Sequence, residues 1–579
     1  MKKLFYILAV GASLSITSCD EERLDIKQKA SSSTEDFYKT DEDAEAILTA
    51  CYGQLFQQIF SANWADGCGF GSPQELLLNY SSDDVFSAGG NIEDHFDQRQ
   101  FDEFRYDSAN GQLKALYQRY YAAIYNCNLI RANVKPDNAV KARVVAEATV
   151  ITAYLHMMLA LTFDNPPLIS ELISAEDYPA NANHDDILKW CISQIDGVIG
   201  NLKERSGASD VAGCYTVTKG FAQFVQGKCA MFLGDYAAAA NYLKPLVESS
   251  NYALVSGEHF RDLFHVEGDG NSEKIFELNV AYNAANGDSW NENMRGGWMF
   301  TNVVNWRGDD MPARPNIEAV AGWGGGAIND QFAIKMYNNE KDSYRRKATF
   351  LTAEEWLYDE ELCGWPSDTK KDGSKMTLAE KKADPNRGII NVNGSFSRGV
   401  NIEVKKIVTP ADKSARSDGN MTNTTLARLG EAYLLYAEAC LKNGNTAEGK
   451  KYLNKIQERA GAPVTELTMQ TLMDEKQYEL WFEGCRFHDL VRWNKFDGFD
   501  IKAAYDKVTD QIPYLFDDYF ISGTSYYQKE HHLRAETKHP LAAANVKCGF
   551  VSGKHEYFPF PTDILALNSN LQQHSGWGE

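Results

Sequence analysis

The stretch "RLGEAYLLYAEACLKNGNTAEGKKYLNKI", residues 428–456, decides the fold. A helical pattern runs into Gly444 and a second one leaves it. Glycine takes the left-handed backbone conformation at little cost, so it ends one helix and turns the chain into the next. A second stretch, "FAQFVQGKCAMFLGDYAAAANYLKPLVE", residues 221–248, aligns with the first when Gly234 is set on Gly444. Seven residues before each glycine stands a small residue, Gly227 or Ala437. Five after stands another, Ala239 or Gly449. Nine after stands Leu243 or Leu453. Small residues at those two places let the paired helices approach closely.

Any antiparallel helix hairpin wants a glycine turn. The agreement at three flanking positions favours the more specific logic of a tetratricopeptide helix pair. The two units lie about 210 residues apart, so an uninterrupted solenoid is excluded and irregular segments are expected between pairs. Helical periodicity continues elsewhere. In 44–61, Leu48, Cys51, Leu55 and Ile59 share a face. In 112–134, Leu113, Leu116, Tyr120, Ile124 and Cys127 do the same. Residues 142–163 form another long helix, stopped by Asn165-Pro166-Pro167 because proline lacks the amide donor. Residues 256–425 read differently. They are rich in Gly, Asn and Asp, with short strand-like runs, "EKIFELNVAY" and "GIINVNGSF". Their tryptophans argue against disorder. The expected fold is mainly α, built of tetratricopeptide-like helix pairs with a loop-rich insertion carrying short strands.

The N-terminus gives an address. Lys2 and Lys3 precede an apolar run, Leu4 to Ile16, that is too short to span a bilayer. The run ends in Ile16-Thr17-Ser18-Cys19, which looks like a bacterial lipobox with Cys19 as the lipid-bearing residue. A plain export signal with an incidental cysteine is the alternative. Polar residues then continue to about Thr34 as a flexible tether. The expected segments are a signal peptide (1–18), a tether (19–34), an N-terminal helical part (35–255), a loop-rich ligand segment (256–425) and a C-terminal helical part (426–579).

Acidic residues outnumber basic ones by 80 to 58, giving a formal charge of −22. Such a surface repels phosphate backbones and argues against nucleic-acid binding. The 11 cysteines form no C-x-x-C pair, so zinc spacing is absent. Several fall on apolar helix positions and read as free, buried thiols.

Three stretches together carry a resemblance. They are "LARLGEAYLLYAEACLKNGNTAEGKKYLNKIQERAG" (426–461), "EKQYELWFEGCRFHDLVRWNKF" (475–496) and "YFPFPTDILALNSNLQQHSGW" (557–577). The second sets Glu479, Leu480, Phe482, Glu483, Gly484, Arg486, Asp489, Leu490, Arg492 and Trp493 on a family pattern. The third has Phe560 where isoleucine is usual and His574 where asparagine is usual. The chain resembles the SusD/RagB family of nutrient-binding outer-membrane lipoproteins. The resemblance implies four tetratricopeptide-like pairs, a SusC-type TonB-dependent transporter as partner, and surface capture of an oligosaccharide. It implies a lipid-anchored location on the cell surface at the outer membrane, and no catalytic activity or cofactor.

Candidate chemistry is weighed on the residues themselves. Residues 475–493 read as one helix, on which Glu483 with Arg486 and Asp489 with Arg492 form ion pairs three apart. A glycosidase needs two carboxylates about 5–5.5 Å or about 6.5–9.5 Å apart, which spacing in so acidic a chain does not single out. His488 and Asp489 are neighbours whose side chains diverge on a helix, and no G-x-S-x-G supplies a nucleophile. "GDGN", 268–271, is a calcium-loop fragment without the remaining ligands. The better lead is aromatic. Trp290, Trp298, Trp306 with Arg307, and Trp323 lie in the loop-rich segment, and Trp64, Asp66, Asp83 and Asp84 form a second neighbourhood. Indoles cover the C–H face of a sugar ring, while Asp and Arg satisfy its hydroxyls. The resemblance implies that these two neighbourhoods meet. A buried core role is the alternative for any single tryptophan. The rival functions are a lipid-anchored glycoside hydrolase and a protein-interaction scaffold without a sugar site.

Overall fold

Polar caps and proline or glycine stops cut the chain into short, well-bounded helices. The computed structural model describes residues 38–59, 72–87, 96–174, 176–279, 325–328, 330–350, 368–383, 389–391, 422–508, 519–522, 525–528 and 549–578. Helix α1 (Asp41–Ile59) buries Leu48, Cys51, Leu55 and Ile59. Helix α2 (Pro73–Tyr80) starts on Ser72, whose side chain accepts from the Glu75 amide, with proline at the first helical position. After strand β1 (Val85–Ser87) and helix α3 (Phe96–Asp102) comes α4 (Gly111–Asn133), capped by Asn110. Its face Leu113, Leu116, Tyr120, Ile124 and Cys127 is buried.

Helix α5 (Ala139–Phe163) is capped by Asn138 and stops at Asp164, just ahead of the two prolines. It is long and apolar enough to cross a membrane, but 94% of that window is buried inside the protein, so it is the central core helix. Helices α6 (His184–Val198), α7 (Lys219–Phe232) and α8 (Tyr236–Val247) follow. Then come β2 (Lys274–Leu278), β3 (Gly326–Ile328), α9 (Asp330–Glu340), α10 (Tyr344–Thr349), α11 (Leu378–Ala383), β4 (Ile389–Asn391) and β5 (Thr424–Arg428). The C-terminal part holds α12 (Leu429–Lys442), α13 (Thr446–Ala460), α14 (Met469–Glu479), α15 (Arg486–Asp497) and α16 (Ile501–Val508). Strands β6 (Tyr519–Ser522) and β7 (Ser525–Gln528) and helix α17 (Thr562–Leu567) complete it.

The two aligned stretches form the expected hairpins, α7/α8 and α12/α13. Gly234 and Gly444 turn them at φ 73° and 79°. The small residues do the work assigned to them. A Cβ on Gly227 would sit 2.4 Å from Cγ of Leu243, and one on Gly449 would sit 2.7 Å from the Ala437 carbonyl. Though distant in sequence, the hairpins are neighbours, because α8 packs on α12. Helices α1, α4, α5, α6, α7, α8, α12 and α13 thus pack in succession, four pairs in one stack. The insertion leaves and rejoins this stack at one place. Strand β2 near its start pairs antiparallel with β5 at its end, and β5 runs directly into α12. Among the described residues the other sheets are β1 with β3 and the three-stranded β4–β7–β6.

One expectation is corrected. Residues 475–493 are not a single helix: α14 ends at Glu479, and Phe482 and Gly484 take φ of 64° and 73° before α15 begins. Two left-handed residues cannot lie inside a right-handed helix. Glu483 therefore leaves the helix face that it was expected to share with Arg486. The C-terminal departures are well housed. Phe560 is fully buried and stacks on Phe163 at 6.3 Å, and His574 bonds the Phe558 carbonyl through Nε2 at 2.7 Å. Cys51, Cys127, Cys191, Cys214, Cys229 and Cys440 are buried free thiols and Cys485 is half-buried. Cys19, Cys68, Cys363 and Cys548 lie outside the described residues.

Close helix approach sets a test. Gly227→Ala should lower unfolding free energy by about 1–3 kcal/mol through overpacking against Leu243. Gly53→Ala in α1 meets nothing within 4 Å and should raise it by roughly 0.5–1 kcal/mol. Urea denaturation of both variants checks this, and an undisturbed Gly227 variant would contradict the packing.

Candidate functional site

The family-like motif of 475–493 builds a charged interior. Arg428, where β5 meets α12, donates from Nη1 to Glu273 (2.9 Å) and Glu479 (2.7 Å). Its Nε and Nη2 grip both oxygens of Glu483 at 2.6 and 2.9 Å. Arg459 of α13 donates to Glu273 (2.9 Å) and also to Glu479. Arg345 of α10 reaches Glu475 (2.6 Å) and Glu479 (2.8 Å) and pairs with Glu340 of α9. Burial alone would raise the Glu479 carboxyl. Arg459, Arg428 and Arg345 overcome it and hold that carboxyl well below the usual carboxylate range. A second cluster lies on α15. Arg492 holds Glu438 with both terminal nitrogens (2.6 and 2.9 Å) and meets Asp489 at 2.8 Å, the expected three-apart pair.

The turn between α14 and α15 reaches back to the N-terminal part. Arg486 grips Asp83 bidentately at 2.7 and 2.9 Å, so its partner is Asp83 and not Glu483. Trp481 donates from Nε1 to the Asp84 carbonyl at 3.1 Å, and the Gly484 amide donates to Asn79 Oδ1 at 2.9 Å. Ser82 donates to the Asp84 carboxylate at 2.8 Å. Burial and then the neighbouring Asp83 push Asp84 up to about 6, while Arg486 outweighs burial at Asp83 and draws that carboxyl down. Asp83 and Asp84 thus lie inside the protein with their carboxylates turned to its own side chains.

Immediately after Asp84 the chain enters β1, which pairs with β3: Val85 with Ile328, Phe86 with Ala327, Ser87 with Gly326. The Tyr80 hydroxyl donates to the Gly325 carbonyl at 2.8 Å. Gly325 is two residues past Trp323 in sequence. The described edges of the two sequence neighbourhoods, 83–87 and 325–328, are therefore joined. Trp64, Asp66, Trp290, Trp298, Trp306, Arg307, Trp323 and Cys19 themselves lie outside the described residues.

A cavity of about 150 Å³ opens between α2, α7, the β5–α12 junction and the 481–485 turn. Glu75, Asn79, Lys228, Lys274, Arg428 and Glu431 are among its lining residues. Sequence reading missed Lys228 and Glu431, which pair at 2.7 Å. The available signal was a lysine next to the apolar run Cys229–Phe232 in the second half of α7. Burial opposes the Lys228 charge, but Glu431 outweighs it and raises the ammonium pKa. His488, also on the wall, is pushed down to about 3 by burial and then by Lys228, so it is neutral, and its Nε2 faces Thr162 at 3.2 Å. Burial raises the Cys485 thiol. Lys228 and Glu431 hold each other, His488 meets Thr162, and Cys485 donates to the Glu483 carbonyl, so each of these groups already has a partner within the protein. In the "GDGN" turn, Asp269 accepts from the Asn423 amide at 3.1 Å, and the Gly270 amide donates to Glu277 at 2.5 Å.

A model of the SusD family matches residues 272–577. A SusD-like protein of Bacteroides ovatus is 22% identical over 529 residues, covering 86% of this chain and 83% of that protein. A laminarin-binding SusD-like protein of known structure superposes with a TM-score of 0.68 at 21% identity, over 93% of this chain and 99% of that one. Surface glycan-binding protein A from Bacteroides thetaiotaomicron, in complex with laminarihexaose, gives 0.66 at 20% identity, over 92% and 99%. These similarities establish a common fold.

The arginine cluster makes its own prediction. Arg428→Leu strands buried carboxylates and should cost about 3–5 kcal/mol of stability, and a shorter-reaching lysine at 428 should rescue little of it. Lys114→Ala removes an exposed pair with Asp563 and should cost about 1 kcal/mol or less. Chemical denaturation separates the two, and equal small losses would refute the cluster's role.

Proposed function

The chain belongs to the SusD family, and from that premise we propose that it is a cell-surface lipoprotein that captures an oligosaccharide or polysaccharide and passes it to a SusC-type TonB-dependent transporter of the outer membrane. The observation that carries this reading is the β1/β3 pairing. It ties Val85–Ser87, which follow Asp84, to Gly326–Ile328, which follow Trp323, so that two parts of the chain distant in sequence meet there. Loops on a rigid base are the usual place for binding residues. In this reading Trp64, Trp290, Trp298, Trp306 and Trp323 supply flat apolar faces for sugar rings, with Asp66 and Arg307 for the hydroxyls. Asp83 and Asp84 hold the base of β1, Asp83 against Arg486 and Asp84 against Trp481 and Ser82.

Lipid on Cys19 would keep the body beside the membrane. Each buried methylene contributes about 0.8 kcal/mol, so two or more acyl chains hold firmly where one does not. Each stacked ring contributes on the order of 1 kcal/mol, so affinity for a single oligosaccharide is modest and gains from multivalency. One structural neighbour is described as laminarin-binding and another carries laminarihexaose. A β-glucan is therefore the first ligand to try.

Calorimetry of the chain from residue 35 onward against a glycan panel, laminarin included, tests the reading. At least one glycan should bind, and Trp306→Ala should weaken it roughly fivefold or more without moving the thermal midpoint. A fall of several degrees in that midpoint would assign Trp306 to the core. Release of reducing ends that depends on one carboxylate would replace binding with hydrolysis, and silence across the panel with retained transporter capture would favour a scaffold. Cys19→Ala should abolish palmitate labelling and move the chain out of the membrane fraction. Continued labelling would refute the anchor.

A further inference from the structure

Two of the buried thiols face each other. Cys51 on α1 and Cys127 on α4 stand Sγ to Sγ at 3.3 Å, although 76 residues separate them in sequence. Neither is more than 4% exposed. Cys214 donates to the Val211 carbonyl at 2.9 Å, and Cys191 donates to the Ala153 carbonyl at 3.2 Å while also meeting the Cys229 thiol. A disulfide bond is about 2.0 Å long, so the Cys51 and Cys127 sulfurs need to approach by little more than about 1 Å. The helices that carry them are already packed together.

We propose that Cys51 and Cys127 are a disulfide-forming pair that staples α1 to the helical body when the chain folds outside the cytoplasm. The location rests on the export proposed above. The position has a mechanical logic. Helix α1 begins at Asp41, shortly after the tether that follows Cys19. Any pull on a lipidated Cys19 therefore reaches α1 first. Non-covalent contacts hold α1 in place, among them Tyr52 donating to Glu147 at 2.5 Å and the Glu45–Arg143 ion pair. Elements next to a chain end open more readily than the core. A covalent link from α1 to α4 would make the anchored end as durable as the stack behind it.

The oxidant is a dithiol-oxidising disulfide of the cell envelope. One cysteine thiolate attacks a sulfur of that disulfide and expels a thiolate, giving a mixed disulfide. The second cysteine thiolate then displaces the remaining half, leaving the Cys51–Cys127 bond. Two cysteine thiols lose two protons and two electrons, and one external disulfide becomes two thiols. In the folded chain the Cys127 thiol is pushed up by its contact with Cys51 and by burial, which suppresses its thiolate. Exchange therefore proceeds while α1 is still open, during folding.

The test uses the full chain recovered from the cell envelope, denatured in N-ethylmaleimide and digested without reductant. The expected result is a pair of linked peptides containing Cys51 and Cys127, separated by dithiothreitol. Reduction should lower the thermal midpoint by several degrees, and Cys51→Ser should abolish that response. Both sulfurs carrying N-ethylmaleimide in envelope-recovered protein would overturn the proposal. A chain absent from the envelope would defeat the export reading instead. The pair is then judged on purified, reduced protein equilibrated with oxidised glutathione in enough urea to open α1. Linked peptides containing Cys51 and Cys127 there support the pair, and two free thiols, or a glutathione on each sulfur, overturn it.

Discussion

Glu479 is a carboxylate with no exposure to water, held by three arginines from three different elements. Transfer of any one of these charges into the interior is costly, and only the complete set offsets it. Arg345 comes with α10, Arg428 with the β5–α12 junction, and Arg459 with α13. Glu273 at the start of β2 serves two of them. The cluster therefore closes only when the insertion has returned to the stack in register. Apolar packing tolerates small slips, but a buried guanidinium between fixed carboxylates does not. The cluster is thus a check on topology as much as a source of stability.

The break between α14 and α15 extends the same constraint to the far end of the chain. Phe482 is a non-glycine residue at φ 64°, an unfavourable conformation that surrounding contacts must hold. What is gained is direction. The turn aims Glu483 at Arg428, Trp481 at the Asp84 carbonyl and Arg486 at Asp83. A continuous helix would have spent Glu483 on Arg486 and left Asp83 buried and unpaired. The C-terminal motif thereby fixes the segment from which β1 departs, and with it the meeting of β1 and β3.

How legible this was depends on the range of each signal. The hairpins could be read because a left-handed glycine and the small residues flanking it act within one or two helical turns. Asp489 with Arg492 could be read for the same reason. Glu483 with Arg486 failed because the three-apart rule presupposes a helix, and charge spacing carries no information about a positive φ at Phe482. Asp83 and Asp84 read as candidates for sugar hydroxyls, since nothing local announces a partner some 400 residues away. Lys228 was hidden for the converse reason: one lysine next to an apolar run reads as an exposed edge until Glu431 is seen opposite it. The five tryptophans fall outside the described residues, so the role proposed for them rests on composition.

The geometry also separates what must stay constant from what is free to vary. Strands β2 and β5 clamp the two ends of the insertion, and α8 packs on α12 as though the residues between were absent. Loop length and sequence inside the clamp can change at small entropic cost, because closure entropy grows only slowly with length. The buried arginines have no such freedom, since each meets several partners at fixed distance, and the glycine turns require a positive φ. The insertion can therefore change in length and sequence while the stack, the clamp and the charge cluster persist.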